Sequence, residues 1–270
     1  MTRGRQLSAL AAPLLLLVAT TAPARAEPLT GRQIMERVDA RNDGDRQVQD
    51  MQMLLIDKNG NNRTRKLRTW RRDVGEDVQS IFFFLAPADV KDTGFLTYDY
   101  DDPDRDDDQW LYLPALKKTK RIATGDKSGS FMGSDFSYAD LTERNLEHYD
   151  YKLLKEDVLD GVKVWHVEAI PNTPKEIEET GYTKVLYVVR QDNDVMVRAI
   201  SWLQSGGRMK YYQVKKLEQI EGIWVATESQ MDTRVANTTL HKTVLQLENV
   251  HFDQPMDESR FSVRQLEKGP

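Results

Sequence analysis

The sequence predicts a mainly β protein, one antiparallel domain of around ten strands folded as a large sandwich or barrel. Three observations lead there. Short segments of alternating apolar and polar residues follow one another along most of the chain, separated by turns such as Asp160-Gly161, Asp192-Asn193-Asp194, Ser205-Gly206-Gly207 and Glu221-Gly222. No strand–helix–strand alternation occurs, which argues against a parallel, doubly wound sheet. The 270 residues are 39% hydrophobic and include ten Tyr, eight Phe and five Trp, enough for a substantial core and too many for intrinsic disorder.

The elements read as follows. Residues 1–26 have the form of an export signal. Arg3 and Arg5 precede an apolar run from Leu7 to Thr20, and Ala24-Arg25-Ala26 places small residues for cleavage before Glu27. The run is too short for a spanning helix and contains Pro13, so a soluble, exported domain over residues 27–270 is expected. Thr30 caps a helix over Gly31–Asp39, whose apolar residues fall at helical spacing. Met51–Ile56 and Arg63–Trp70 form a hairpin around Asn59-Gly60-Asn61. Gln79–Leu85 is an apolar strand stopped by Pro87, followed by shorter strands at Gly94–Tyr100, Gln109–Leu113 and Lys152–Glu156. Six more follow: Val162–Ile170, Lys184–Arg190, Val195–Leu203, Arg208–Leu217, Trp224–Thr233 and Thr239–His251.

Two segments resist a strand reading. Pro174–Glu179 reads as a short helix or an exposed connection. Thr124–Leu141 is a long Gly/Ser-rich loop that nevertheless carries Phe131, Met132, Phe136 and Tyr138, and long loops in compact domains are commonly functional.

Charge and motif content exclude much chemistry. Lys and Arg number 38 against 43 Asp and Glu, an acidic balance unsuited to general nucleic-acid binding. The absence of cysteine removes disulfides, thiol nucleophiles and Cys-ligated metals. Gly129-Ser130-Phe131-Met132-Gly133 puts its serine in the wrong slot for a nucleophile elbow, and no phosphate loop is present. His148, His166, His241 and His251 share no metal-ligand spacing. The acidic run Asp99–Asp108 fits an EF-hand loop only in part. Started at Asp102, the template needs Gly at Asp107 and Glu at Leu113, so a solvated loop is the better reading. The basic runs Arg63–Arg72 and Lys117–Arg121 are expected to be solvated strand faces, with docking to a partner or an anionic headgroup as the sharper alternative. No catalytic residue, metal or cofactor is therefore expected.

What remains is apolar. Phe82-Phe83-Phe84 is unusually bulky for one strand, and Trp110, Trp165, Trp202 and Trp224 sit on others. This is either an ordinary core or a curved sheet with more apolar interior than it can close upon, holding a ligand under the Phe131–Met132 loop. On the second reading Phe83, Leu85, Leu96, Leu113, Phe131, Met132, Phe136 and Trp202 are the candidate lipid-contacting residues. Glycines at 129 and 133 flank the loop tip, which is expected to lie over the mouth of the sheet as a lid, with a fixed plug as the alternative.

Phe84-Leu85-Ala86-Pro87-Ala88-Asp89-Val90-Lys91-Asp92-Thr93-Gly94-Phe95-Leu96, Gln109-Trp110-Leu111-Tyr112-Leu113-Pro114-Ala115-Leu116-Lys117-Lys118 and Gly129–Leu141 together resemble the outer-membrane lipoprotein-sorting protein family, which is similar to the periplasmic Lol lipoprotein carriers. The resemblance implies a strongly curved antiparallel sheet, a half-open β-barrel, with a few helices and loops over an apolar cavity. It also implies a non-enzymatic periplasmic carrier of a lipid or acylated lipoprotein, making transient membrane contact and working beside an inner-membrane exporter of the resistance-nodulation-division type. The rival is an accessory subunit of such an exporter that carries no cargo itself.

Overall fold

The computed structural model describes residues 28–236 and 238–270, so the export signal expected over residues 1–26 lies outside the described residues. All thirteen strands belong to one antiparallel sheet: β1 (Arg46–Asp57), β2 (Asn62–Val74), β3 (Asp77–Ala86), β4 (Gly94–Asp99), β5 (Asp108–Leu113), β6 (Lys118–Arg121), β7 (Tyr149–Leu159), β8 (Val162–Pro171), β9 (Tyr182–Arg190), β10 (Met196–Leu203), β11 (Arg208–Ile220), β12 (Ile223–Val235) and β13 (Thr238–Phe252). Their order is β6-β5-β4-β3-β2-β1-β13-β12-β11-β10-β9-β8-β7. The two halves of the chain are thus consecutive meanders, joined where β1 pairs with β13 along nearly its whole length. A sheet this wide accumulates twist and coils. Its edges β6 and β7 do not pair with each other, which leaves a half-open barrel.

That strand order explains the Gly/Ser loop. β6 and β7 are consecutive in sequence but stand at opposite edges. The segment 122–148 must therefore cross the sheet, and it does so inside the concave face as a series of 3-10 turns. The hairpin β1–β2 turns as predicted. The Asp57 carboxylate accepts from the backbone N–H of Asn59 (2.8 Å) and Asn61 (3.0 Å), while Gly60 takes the left-handed conformation at φ 83°.

Among the described residues, three short helices close the structure. α1 (Gly31–Asp39) begins in a capping box between Thr30 and Gln33 and buries Ile34 and Met35 against β7 and β8. A side chain at Gly31 would put its Cβ 2.7 Å from the backbone nitrogens of Lys152 and Leu153, so only glycine allows this approach. α2 (Pro174–Thr180) is capped by Thr173 and ended by Gly181. α3 (Val263–Lys268) seats Leu266 on the convex face against Ile81, Phe83 and Leu96. This answers the bulk of β3: Phe82 and Phe84 face the concave side and Phe83 the convex side, and all three are buried. α3 lies outside the elements read from sequence, and β6 falls on the basic run Lys117–Arg121, expected only as a solvated strand face. α3 has only six residues, and Lys118-Thr119-Lys120-Arg121 has no apolar residue and is held by its backbone pairing with β5.

Candidate functional site

The concave face has two regions. Over β2–β5 it is filled. Phe131 reaches down from the crossing segment, is 1% exposed, and meets Phe82, Phe84, Phe95 and Tyr138 at ring separations of 5.4–6.1 Å. Met132, at φ 49°, packs at the margin of this cluster, and Arg65 donates to its carbonyl while lying over the Phe84 ring. The expected lid is, at Phe131, a plug. A strand order that sends this segment through the interior leaves its aromatic tip nowhere else to go.

Over β9–β13 the concave face is not filled. A cavity of about 460 Å3 lies between these strands, α1 and the crossing segment. Met35 and Val38 come from α1, Phe136 and Leu146 from the crossing segment, and Tyr187, Met196, Ala199, Tyr212, Met231 and Leu245 from the strands. A second space of about 290 Å3 shares Arg41, Asp43, Tyr212, Ser229 and Leu245 with it and runs on past Val225, Leu247 and Phe252. The two form one trough across the sheet. Strand alternation builds it: Val225, Ser229 and Met231 share one side of β12, with Trp224, Glu228 and Gln230 between them on the other.

Polar staples hold the crossing segment in place. The Asp135 carboxylate, 1% exposed, accepts from Thr233 (2.5 Å) and Thr243 (2.7 Å) and lies 2.7 Å from His241 Nδ1, tying the segment to β12 and β13. The backbone N–H of Asp135 donates in turn to Thr243 Oγ1 at 2.9 Å. Lys127, also 1% exposed, pairs with Glu179 of α2. Asp140 accepts from the Ser137 N–H (2.8 Å) and hydroxyl (2.9 Å), from the Tyr182 hydroxyl (2.9 Å), from Lys210 (3.1 Å) and from Arg144 (3.2 Å). Burial opposes ionisation of Asp140, but Lys210, Arg144 and the two hydrogen bonds from Ser137 together outweigh it, and its carboxyl sits below the ordinary carboxylate range.

Of the eight residues nominated from sequence, Phe136 lines the cavity. Phe131, Met132 and Leu113 belong to the filled half. Phe83 and Leu96 face the convex side under Phe261 and Leu266, and Leu85 is half-buried near the end of β3. Trp202 alternates out of the cavity with Ser201 and stacks under Lys184, whose Nζ is 4.2 Å from the ring centroid. Sequence reasoning followed aromatic bulk, which marks where the interior is full. The empty half is lined on β10–β13 by Met196, Ala199, Ser201, Ser229 and Met231 together with Tyr212 and Leu245, and the one-sided alternation of β10 and β12 was the available signal.

The charge runs are largely engaged with protein partners. Arg68 pairs with Asp50, Arg71 with Asp43 and Glu143, and Arg72 with Glu258. In the acidic loop Asp106 pairs with Lys175, Asp107 accepts from the Tyr100 N–H, and Asp108 pairs with Arg121. Asp99 accepts from the Glu143 N–H beside Asp107; burial and that second carboxylate push its carboxyl up to about 8.

Comparison with known proteins places this geometry. A family model described as "Uncharacterized protein" matches residues 76–268. A protein from Vibrio parahaemolyticus described as an outer membrane lipoprotein-sorting protein domain is 30% identical, over 88% of this chain and 98% of its own, with a TM-score of 0.79. A DUF1329 family protein from Desulfovibrio piger is 28% identical, over 87% and 97%, also at 0.79. A LolA superfamily protein from Nitrosomonas europaea shares the fold at 17% identity, over 88% and 100%, with a TM-score of 0.66. Among curated proteins no sequence match is found.

Proposed function

This chain belongs to the outer membrane lipoprotein-sorting protein family, and from that premise we propose that it is a periplasmic carrier that shelters the acyl chains of a lipid or lipoprotein in its cavity. The observation that carries the reading is the apolar trough left open on the concave face between α1 and β9–β13. Each methylene exposed to water costs about 0.8 kcal/mol, so an acyl chain needs such a shelter to cross an aqueous compartment. Met35, Met196 and Met231 suit the task, because flexible thioether side chains re-pack around chains of different length. Residues 1–26 would direct export and be cleaved after Ala26. Transfer toward the outer membrane, with cargo received from an inner-membrane exporter of the resistance-nodulation-division type, completes the proposal.

Native mass spectrometry of purified protein tests whether lipid co-purifies. Delipidated protein should take up a fluorescent acylated probe at micromolar concentration. Ala199→Trp, which projects bulk into the cavity, should abolish uptake while the melting temperature changes little. No uptake by the delipidated protein, or full uptake by the Ala199→Trp variant, overturns the reading.

A further inference from the structure

The buried end of the cavity carries a charge imbalance. Asp140 and Arg144 of the crossing segment line the cavity, and Lys210 of β11, outside the lining itself, pairs with Asp140. Their side chains are 7%, 20% and 10% exposed. Asp140 is saturated, since its two oxygens already receive the Ser137 N–H and hydroxyl, the Tyr182 hydroxyl, Lys210 and Arg144. The two cations are not. Lys210 donates to Asp140 alone among the described residues, and Arg144 donates once to Asp140 and once, at 2.9 Å, to the Tyr187 hydroxyl. Most of their N–H groups have no protein acceptor there, and one positive charge is left uncompensated.

The other charged groups nearby do not cancel it. Glu143 turns to Arg71 and is 57% exposed, and Asp43 pairs with the same arginine. Asp39 and Arg41 stand at the exposed end of α1 and beyond it, on the cavity rim. On the far side Glu176 is taken up by Tyr149 and His148. A structural staple would need one cation for one carboxylate. A second cation, mostly withdrawn from water, gains where an anion joins it.

Building on the carrier reading, we infer that this end of the cavity is an anion subsite. It receives the negatively charged group of a single-chain amphiphile, a carboxylate or a phosphate, on Arg144 with the Tyr187 hydroxyl beside it, while Lys210, which does not line the cavity, offsets the Asp140 carboxylate. The hydrocarbon then runs along Met35, Val38, Met196 and Met231 toward the mouth. The planar guanidinium of Arg144, already oriented by Asp140 and by the Tyr182 ring 4.9 Å below it, presents its spare donors without reorganising.

The test displaces a fluorescent acylated probe from the full chain with three ligands of one chain length: dodecanoate, dodecyl phosphate and dodecanol. The two anions should displace the probe at roughly tenfold lower concentration than the alcohol. Whichever anion is tighter assigns carboxylate or phosphate chemistry to the subsite. Arg144→Gln should bring the anions to the level of dodecanol and leave dodecanol itself unchanged. Lys210→Met should do the same, which keeps the test intact if one variant does not fold. Equal displacement by all three ligands in the unmodified protein overturns the subsite and leaves the carrier reading standing. So does discrimination that survives in both variants. Displacement by none of the three is instead the failure of the carrier reading.

Discussion

Phe131→Ala separates a plug from a lid. The ring is 1% exposed and packed by four aromatic neighbours at 5.4–6.1 Å, apart from the residues that line the cavity. Truncating a buried phenylalanine costs about 3–5 kcal/mol through lost transfer energy and the void left behind. The edge-on contacts with Phe82 and Tyr138 place this site toward the upper end. For a domain of this size each kcal/mol lowers the melting temperature by about 2–4 °C, so the expected drop is roughly 8–20 °C. Thermal denaturation followed by near-ultraviolet circular dichroism reads it, with uptake of an acylated probe measured below the transition. Probe affinity should stay within about twofold, because Phe131 does not line the cavity. A drop of only a degree or two with uptake abolished would show that Phe131 meets cargo and that the plug assignment is wrong.

Three further outcomes follow from the geometry. Asp135→Ala removes the acceptor shared by Thr233, Thr243 and His241, and should cost about 3 kcal/mol or more and raise amide hydrogen exchange across residues 128–141. Asp99, with its carboxyl pushed up to about 8 by burial and by Asp107, holds its proton in the folded state where the unfolded chain has lost it. Its contribution therefore falls as pH rises from about 4 to 8 and stays low above that. Asp99→Asn should raise the melting temperature at pH 8 and change it little at pH 4. Gly94→Ala would bring a Cβ to 2.6 Å from Leu266 and 2.8 Å from Phe83, and should lose about 1–3 kcal/mol in urea denaturation by displacing α3 from the convex face.

Local sequence determined the elements of this protein. Thr30 and Gln33 fix the start of α1, Asp57 and Gly60 fix the first hairpin, and alternation along β8 and β12 marks strands with one buried side, because capping, turn geometry and pleat act over a few residues. Strand order, which pairs β1 with β13 and parts β6 from β7, depends on contacts between residues hundreds of positions apart. Only that order sends the Phe131 segment through the interior, fills one half of the concave face and leaves the other open. The bulkiest apolar residues therefore became core, and the cavity formed where Met35, Ala199 and Met231 are too slender to fill it. The charged end was illegible for the same reason. Asp140 and Arg144 are neighbours on the crossing segment, but Tyr182 and Lys210 come from distant strands, and the four meet only because that segment packs against β9 and β11.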